Sequence, residues 1–197
     1  DTTHHEISYQ QFANDIKALG TALLSLNLQG KKVALIAPNR YEWCVSYLAI
    51  TTSDISIVPL DKSLPDNEIK SLIDRSKVDA VIFDEKYNQV FEEIMEKSPS
   101  YLKQYICIGQ SKHPNFSNYQ HLLEKGKSLL ENGNTSYEAI TLDPEKVSIL
   151  LFTSGTTAIS KCVGLSQSNI CSDIYALSQM TDIRKEDVFL SFLPLHH

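Results

Sequence analysis

Long apolar runs are absent from this sequence. The longest reach about six residues, where a membrane-spanning helix needs roughly 20, so no such helix is expected. Blocks of like charge are absent as well. The 18 basic and 24 acidic residues leave a net charge of −6 and are dispersed along the chain. A nucleic-acid binder carries a basic stripe or patch, and none is written here. Cysteine is scarce: its four occurrences, at 44, 107, 162 and 171, form no CxxC pair and have no histidine at zinc-ligand spacing. Three of them lie in apolar segments, which reads as buried free thiols of a reducing compartment. Internal repeats and low-complexity tracts are missing too, and neither 109–119 nor 131–146 is rich enough in Pro, Gly or Ser to mark a domain boundary. Residue 1 is Asp rather than Met, so the chain is expected to begin inside a longer gene product, and the lack of a leader excludes nothing.

What is present is an ordinary globular composition, 42% hydrophobic and 21% charged over 197 residues. That suffices for one domain with a buried core, or for one large piece of a bigger one. Ser8 and Gln11 have the spacing of a reciprocal capping box. They open a helix whose inner face is Phe12, Ile16, Leu19 and Leu23. Further helices are expected at 41–51, from 65–66 through Ile73, and at 87–97, 119–131 and 166–180. Strands are expected at 32–37, 55–59, 78–83, 104–108, 147–152, 162–165 and 188–193, with 110–118 a polar loop. The uncharged run 147–152 reads as a strand buried on both faces. Ile170, Ile174 and Leu177 form the inner face of the last helix. Strands alternating with helices predict an α/β fold, a layered, mostly parallel sheet flanked by helices and joined by right-handed crossovers.

One stretch carries chemistry. Thr153-Ser154-Gly155-Thr156-Thr157 follows the 147–152 strand, so it emerges at a sheet edge, where α/β ligands sit. Hydroxyls and free backbone N–H groups can donate to phosphate oxygens, Gly155 allows close approach, and Lys161 adds charge. A Walker A loop is excluded, since that motif opens a helix whereas Lys161 is followed by the strand pattern Cys162-Val163-Gly164-Leu165. On composition alone, a polar hairpin turn is the favoured reading, since Ser, Thr and Gly populate turns anyway.

The spelling resolves the choice. LFTSGTTAISK followed by Ser166-Gln167-Ser168-Asn169 resembles the signature of the AMP-forming acyl-adenylating enzymes, roughly TSGTTGxxKGVxxSHxN. Other segments resemble that family in order and spacing: Ile7-Ser8-Tyr9 with Leu19-Gly20 and Leu23, VALIAPN with Glu42-Trp43, Ile57-Val58-Pro59-Leu60-Asp61, and the terminal SFLPLHH. The resemblance implies that residues 1–197 are the N-terminal portion of the large domain of the acyl-adenylate-forming fold. The rest of that domain and a small C-terminal domain would lie beyond.

By resemblance, Thr153, Ser154, Gly155, Thr156, Thr157 and Lys161 bind the ATP phosphates, and His197 lines the acyl and adenylate pocket. His196 occupies a more variable position. A pair of chain-end surface histidines, or the start of a tag, is the bland alternative for both. The implied reaction uses ATP, with Mg²⁺ accompanying it, and coenzyme A. The carboxylate of a fatty acid attacks the α-phosphorus, pyrophosphate leaves, and a thiol then takes the acyl group. No catalytic residue is assigned within these 197 positions, so the piece alone is expected to be inactive. Partners are small molecules and no nucleic acid. The implied location is cytoplasmic, with peripheral membrane attachment and oligomeric state left open.

Departures from the pattern bear on affinity. Ala158, Cys162 and Gln167 stand where the family has Gly, Gly and His, and Ser160 replaces Pro. Alanine in a left-handed conformation costs about 1–2 kcal/mol. Two alternatives follow: a domain that loads an acyl or amino acid onto a carrier protein, and a non-catalytic relative with a degenerate loop. Elsewhere the plain readings hold. Trp43 is expected in the core, Asp61 in the turn Asp61-Lys62-Ser63-Leu64-Pro65, and Glu92, Glu93 and Glu96 on a solvated helix face.

Overall fold

The computed structural model describes residues 5–153 and 160–196. Seven strands form one sheet: β1 (Lys32–Ile36), β2 (Ser56–Pro59), β3 (Ala80–Asp84), β4 (Gln104–Ile108), β5 (Ser117–Asn118), β6 (Val147–Thr153) and β7 (Lys161–Ser166). Their order across the sheet is β5-β4-β3-β1-β2-β6-β7. Every neighbouring pair is parallel except β6–β7, which is antiparallel. Six helices cover it: α1 (Tyr9–Ser25), α2 (Tyr41–Thr51), α3 (Asp66–Ser76), α4 (Asn88–Glu96), α5 (Tyr119–Glu131) and α6 (Gln167–Met180).

Strand alternation divides the core in two. Val33, Leu35, Ile57, Ile82 and Ile106 point to the side covered by α1, α2 and α5. Ala34, Ile36, Val58, Val81 and Phe83 point to the side of α3 and α4. Crossovers of one hand require that connections stepping in opposite directions along the sheet use opposite faces. The helices obey this: α2 and α5 precede steps toward β7, while α3 and α4 precede steps toward β5. The central strands are therefore buried on both sides, which is why they read as unbroken apolar runs.

The first helix differs in detail from its expected start. The Ser8 hydroxyl accepts from the Gln11 N–H at 3.1 Å, but the Gln11 amide turns forward to donate to Asp15 at 2.9 Å. Asp15 is buried, and by accepting from Nε2 it turns the Gln11 amide away from the Ser8 N–H, from which its oxygen would otherwise accept. The reciprocal capping box forms instead at α6, between Ser166 and Asn169.

The far edge departs from expectation in three ways. Residues 188–193 form no strand, and Val188 and Leu190 are exposed; among the described residues they have no neighbouring strand, and a β pattern without a ladder partner gains nothing. In β6 only Ile149 is fully buried. Leu150 and Phe152 lean on the α3 side and Leu151 on the other, each partly covered. On α6, Ile170 packs on the core while Ile174 and Leu177 are exposed. The polar loop also contains β5, which extends the sheet beside β4. Of the cysteines, Cys107 is buried and Cys44 partly so, but Cys162 and Cys171 are exposed, which corrects the reading of buried thiols.

Two features of the α1–α5 side give measurable consequences. Gly126 of α5 lies against α1, so an added Cβ would sit 1.9 Å from the Ala18 carbonyl oxygen. Helix propensity alone would make Gly126→Ala stabilising. The backbone clash reverses the sign, and urea denaturation should show a loss of about 1–3 kcal/mol. Asp15 takes hydrogen bonds from Tyr41 and Gln11 and an ion pair from Lys127 at 2.8 Å. Burial pushes its pKa up, but Lys127 and the two donors outweigh burial and hold it below the ordinary carboxylate value. Such a group stabilises the fold above its unfolded-state pKa, and that stability is lost as pH falls through the lower folded-state value. Asp15→Asn should accordingly be destabilising at neutral pH and nearly neutral well below about pH 4, read from denaturation midpoints across that range.

Candidate functional site

A strand whose next neighbour runs antiparallel can be joined to it by a short loop, whereas a parallel neighbour needs a long crossover. β6 has both. It runs parallel to β2 and ends at the carboxyl edge of the sheet, then returns as β7 in a ladder that pairs Leu151 with Val163, Phe152 with Cys162 and Thr153 with Lys161. β6 and β7 therefore form an antiparallel pair whose ends Thr153 and Lys161 stand at the carboxyl edge. Thr153 and Lys161 are cross-strand partners and both exposed. Ser154, Gly155, Thr156, Thr157 and Ala158 lie outside the described residues, as does His197.

Beside this hairpin end is an open crevice of about 430 Å³ beyond the carboxyl ends of β2 and β6. Leu60, Leu72 and Phe152 give it apolar walls, and Asp61, Thr153 and His196 supply polar groups. Thr153, Lys161 and the apolar crevice thus stand together, a combination suited to an anionic head attached to a less polar body.

Asp61 forms the expected turn: its carboxylate accepts from the Ser63 N–H at 2.8 Å. It also faces His196, with Nε2 3.6 Å from Oδ1. Sequence reasoning gave weight to His197 and left His196 as a variable neighbour, yet the His196 side chain is largely covered at the crevice. A spacing argument had no access to this, because the contact depends on how the terminal segment docks. Asn39 does the docking. Its Nδ2 donates to the Leu193 carbonyl at 2.7 Å and its Oδ1 accepts from the Leu195 N–H at 3.4 Å, so the amide side chain stands in for a peptide group.

The next residue braces the same edge. The Arg40 guanidinium donates to both Glu42 carboxylate oxygens, at 2.7 and 3.0 Å, and to Asp84 at 2.7 Å. Burial pushes the Glu42 pKa up, but Arg40 outweighs it and holds the carboxyl below its usual value. Trp43 is buried and stacks on Tyr47 with ring centroids 5.2 Å apart, as expected of a core residue. Glu93 pairs with Lys70 on the surface. Burial, reinforced by Glu85 and Asp84, pushes the Cys107 thiol up to about 11, which keeps it protonated and unreactive.

One sequence departure is now accounted for. Cys162 lies within β7, paired with Phe152, and its φ is not positive. A strand position accepts any side chain, so cysteine in place of glycine there carries no backbone strain.

Comparison with known proteins adds the family. The model of the AMP-binding enzymes matches residues 2–197. Human long-chain-fatty-acid–CoA ligase 6 is 28% identical over 204 residues, covering 97% of this chain and 29% of the ligase. Rat long-chain-fatty-acid–CoA ligase 5 is 30% identical over 211 residues, with 97% and 30% covered. Among solved structures, a long-chain-fatty-acid–CoA ligase from Archaeoglobus fulgidus superposes with a TM-score of 0.82 at 15% identity, covering all of this chain and 37% of that one. The chain thus spans under a third of the curated relatives it matches.

The docking of the terminal segment can be tested at a single amide. Asn39→Ala removes the acceptor of the Leu195 N–H, worth about 1 kcal/mol. Hydrogen exchange at that amide should accelerate several-fold, while amides of β1 and β3 keep their protection. Unchanged exchange at Leu195 would show that the segment is held by other contacts.

Proposed function

Because the chain belongs to the AMP-binding enzyme family, we propose that it is the N-terminal portion of the nucleotide-binding domain of an ATP-dependent fatty-acyl–CoA ligase. The observation that carries this reading is the hairpin at the carboxyl edge, where Thr153 and Lys161 stand as cross-strand partners beside an apolar crevice. Their placement supports a phosphate-holding role for the segment from Thr153 to Lys161. The exposed apolar faces of α6 and of residues 188–193 support the view that more of the domain packs there. Among the described residues no helix is long and apolar enough to cross a membrane.

The chemistry suits such a site. The fatty-acid carboxylate attacks the α-phosphorus of ATP and pyrophosphate departs, leaving an acyl-adenylate that a thiol of coenzyme A then opens. Charge builds on the departing phosphates, and groups already aimed at them lower the barrier without covalent help. Lys161 supplies a cation and Thr153 a hydroxyl, while Mg²⁺ arriving with ATP supplies further neutralisation. Asp61 and His196 sit at the crevice wall. No residue of this chain is assigned an acid–base role.

Fatty-acid-dependent exchange between ATP and pyrophosphate tests this reading. The whole ligase should catalyse it, Lys161→Ala should slow it about 10²-fold, and the 197-residue piece alone should show none. Ala158→Gly reports on another of the departures: a rise in MgATP affinity would show that alanine weakens the loop. Exchange undiminished in Lys161→Ala would remove the phosphate-binding role.

A further inference from the structure

The loop-bearing hairpin is fastened mainly at the end away from its loop. β6 meets β2 through the pair Ile57–Ile149. The polar ties nearby are Ser56 to the Val147 carbonyl at 3.3 Å, Lys146 to Asp54 at 2.6 Å, and the Gln167 amide to the Thr51 carbonyl at 3.0 Å. From Ile149 to Thr153 the strand runs on for roughly 13 Å. Over that length β7 is an outermost strand of the sheet.

Arg75 reaches this distal end from outside the hairpin with a polar tie. It lies in the last turn of α3, where a cation also suits the helix carbonyls. Its Nη2 donates to the Ser160 carbonyl at 2.6 Å, and its guanidinium lies 5.3 Å from the centroid of the Phe152 ring. Phe152 immediately precedes Thr153, and Ser160 immediately precedes Lys161. One planar cation therefore grips the entry strand of the loop through a ring face and the exit strand through a carbonyl. Leu72, one turn earlier on α3, is buried and lines the adjoining crevice.

We infer that Arg75 is a positioning residue for ATP: it ties the loop end of the β6–β7 hairpin to α3 and so fixes Thr153 and Lys161 where the phosphates bind. The inference rests on the reading of this loop as a phosphate site. Its action is indirect, through Phe152 and the Ser160 carbonyl. A lysine could keep the charge and one donor but lacks the flat face that stacks on the ring.

Steady-state kinetics of the whole ligase, with ATP and fatty acid varied separately, test it alongside hydrogen exchange of the hairpin. Arg75→Ala should raise the KM for ATP about tenfold, the scale of one lost charged hydrogen bond. The KM for the fatty acid and the melting temperature should be retained. Arg75→Lys should fall between wild type and Arg75→Ala, which guards against a folding defect in the larger truncation. Amides of 151–153 and 161–163 should exchange faster in Arg75→Ala, with those around Ile57 and Ile149 unchanged. If Lys161→Ala raises the KM for ATP and Arg75→Ala leaves it unchanged, the tether is overturned and the phosphate site stands. If neither variant moves it, the phosphate site itself fails.

Discussion

The mixed pairing of β6 is the constraint on which the site depends. A strand parallel to one neighbour and antiparallel to the next can return without a crossover, and here both ends of the turn, Thr153 and Lys161, stand at the carboxyl edge where the parallel strands also end. β2 and the turn after it contribute Pro59, Leu60 and Asp61 to that edge, and β6 contributes Phe152 and Thr153. Were β7 parallel, a crossover helix would separate Thr153 from Lys161 and the two could not be partners. The position of the loop follows from topology before any side chain in it is considered.

Polar side chains then complete the edge. Asn39 and Arg40 lie between β1 and α2, and each braces a different part: the terminal segment with His196, and the start of α2 against Asp84. Arg75 reaches over from α3 to the hairpin. These residues come from the helix starts, helix ends and turns that follow the central strands. The rigid parallel sheet thereby holds an edge built mostly of loops, the usual division of labour in α/β proteins. On one face of the sheet, Asp15 and Gly126 lock α1, α2 and α5 together.

Much of this was legible in the sequence. The strands at 32–36, 80–84 and 104–108 are buried on both faces and read as apolar runs, and the α3 face of Ile69, Leu72 and Ile73 follows from spacing. Cys162 through Leu165 reads as strand rather than helix, and that distinguished the loop from a Walker motif. What failed depended on partners. Residues 188–193 carry a strand pattern with no strand beside them, and Ile174 and Leu177 form an inner face with no described cover. The Gln11 side chain had two partners within reach, the Ser8 N–H to accept from and Asp15 to donate to, and only the fold makes Asp15 the better one. At the candidate site, the motif singles out Thr153 and Lys161, which the fold makes cross-strand partners. His196, Asn39 and Arg75 are not singled out, because their roles arise from contacts across 135, 154 and 85 positions.

The central claim is that the hairpin at this edge serves an enzyme that cleaves ATP between the α and β phosphates. Phosphorus NMR of the whole ligase turning over ATP, a long-chain fatty acid and coenzyme A tests it most directly. Equal amounts of AMP and pyrophosphate, formed only when the acid is present, are the predicted products. ADP and inorganic phosphate, or nucleotide cleavage indifferent to the acid, would contradict the account.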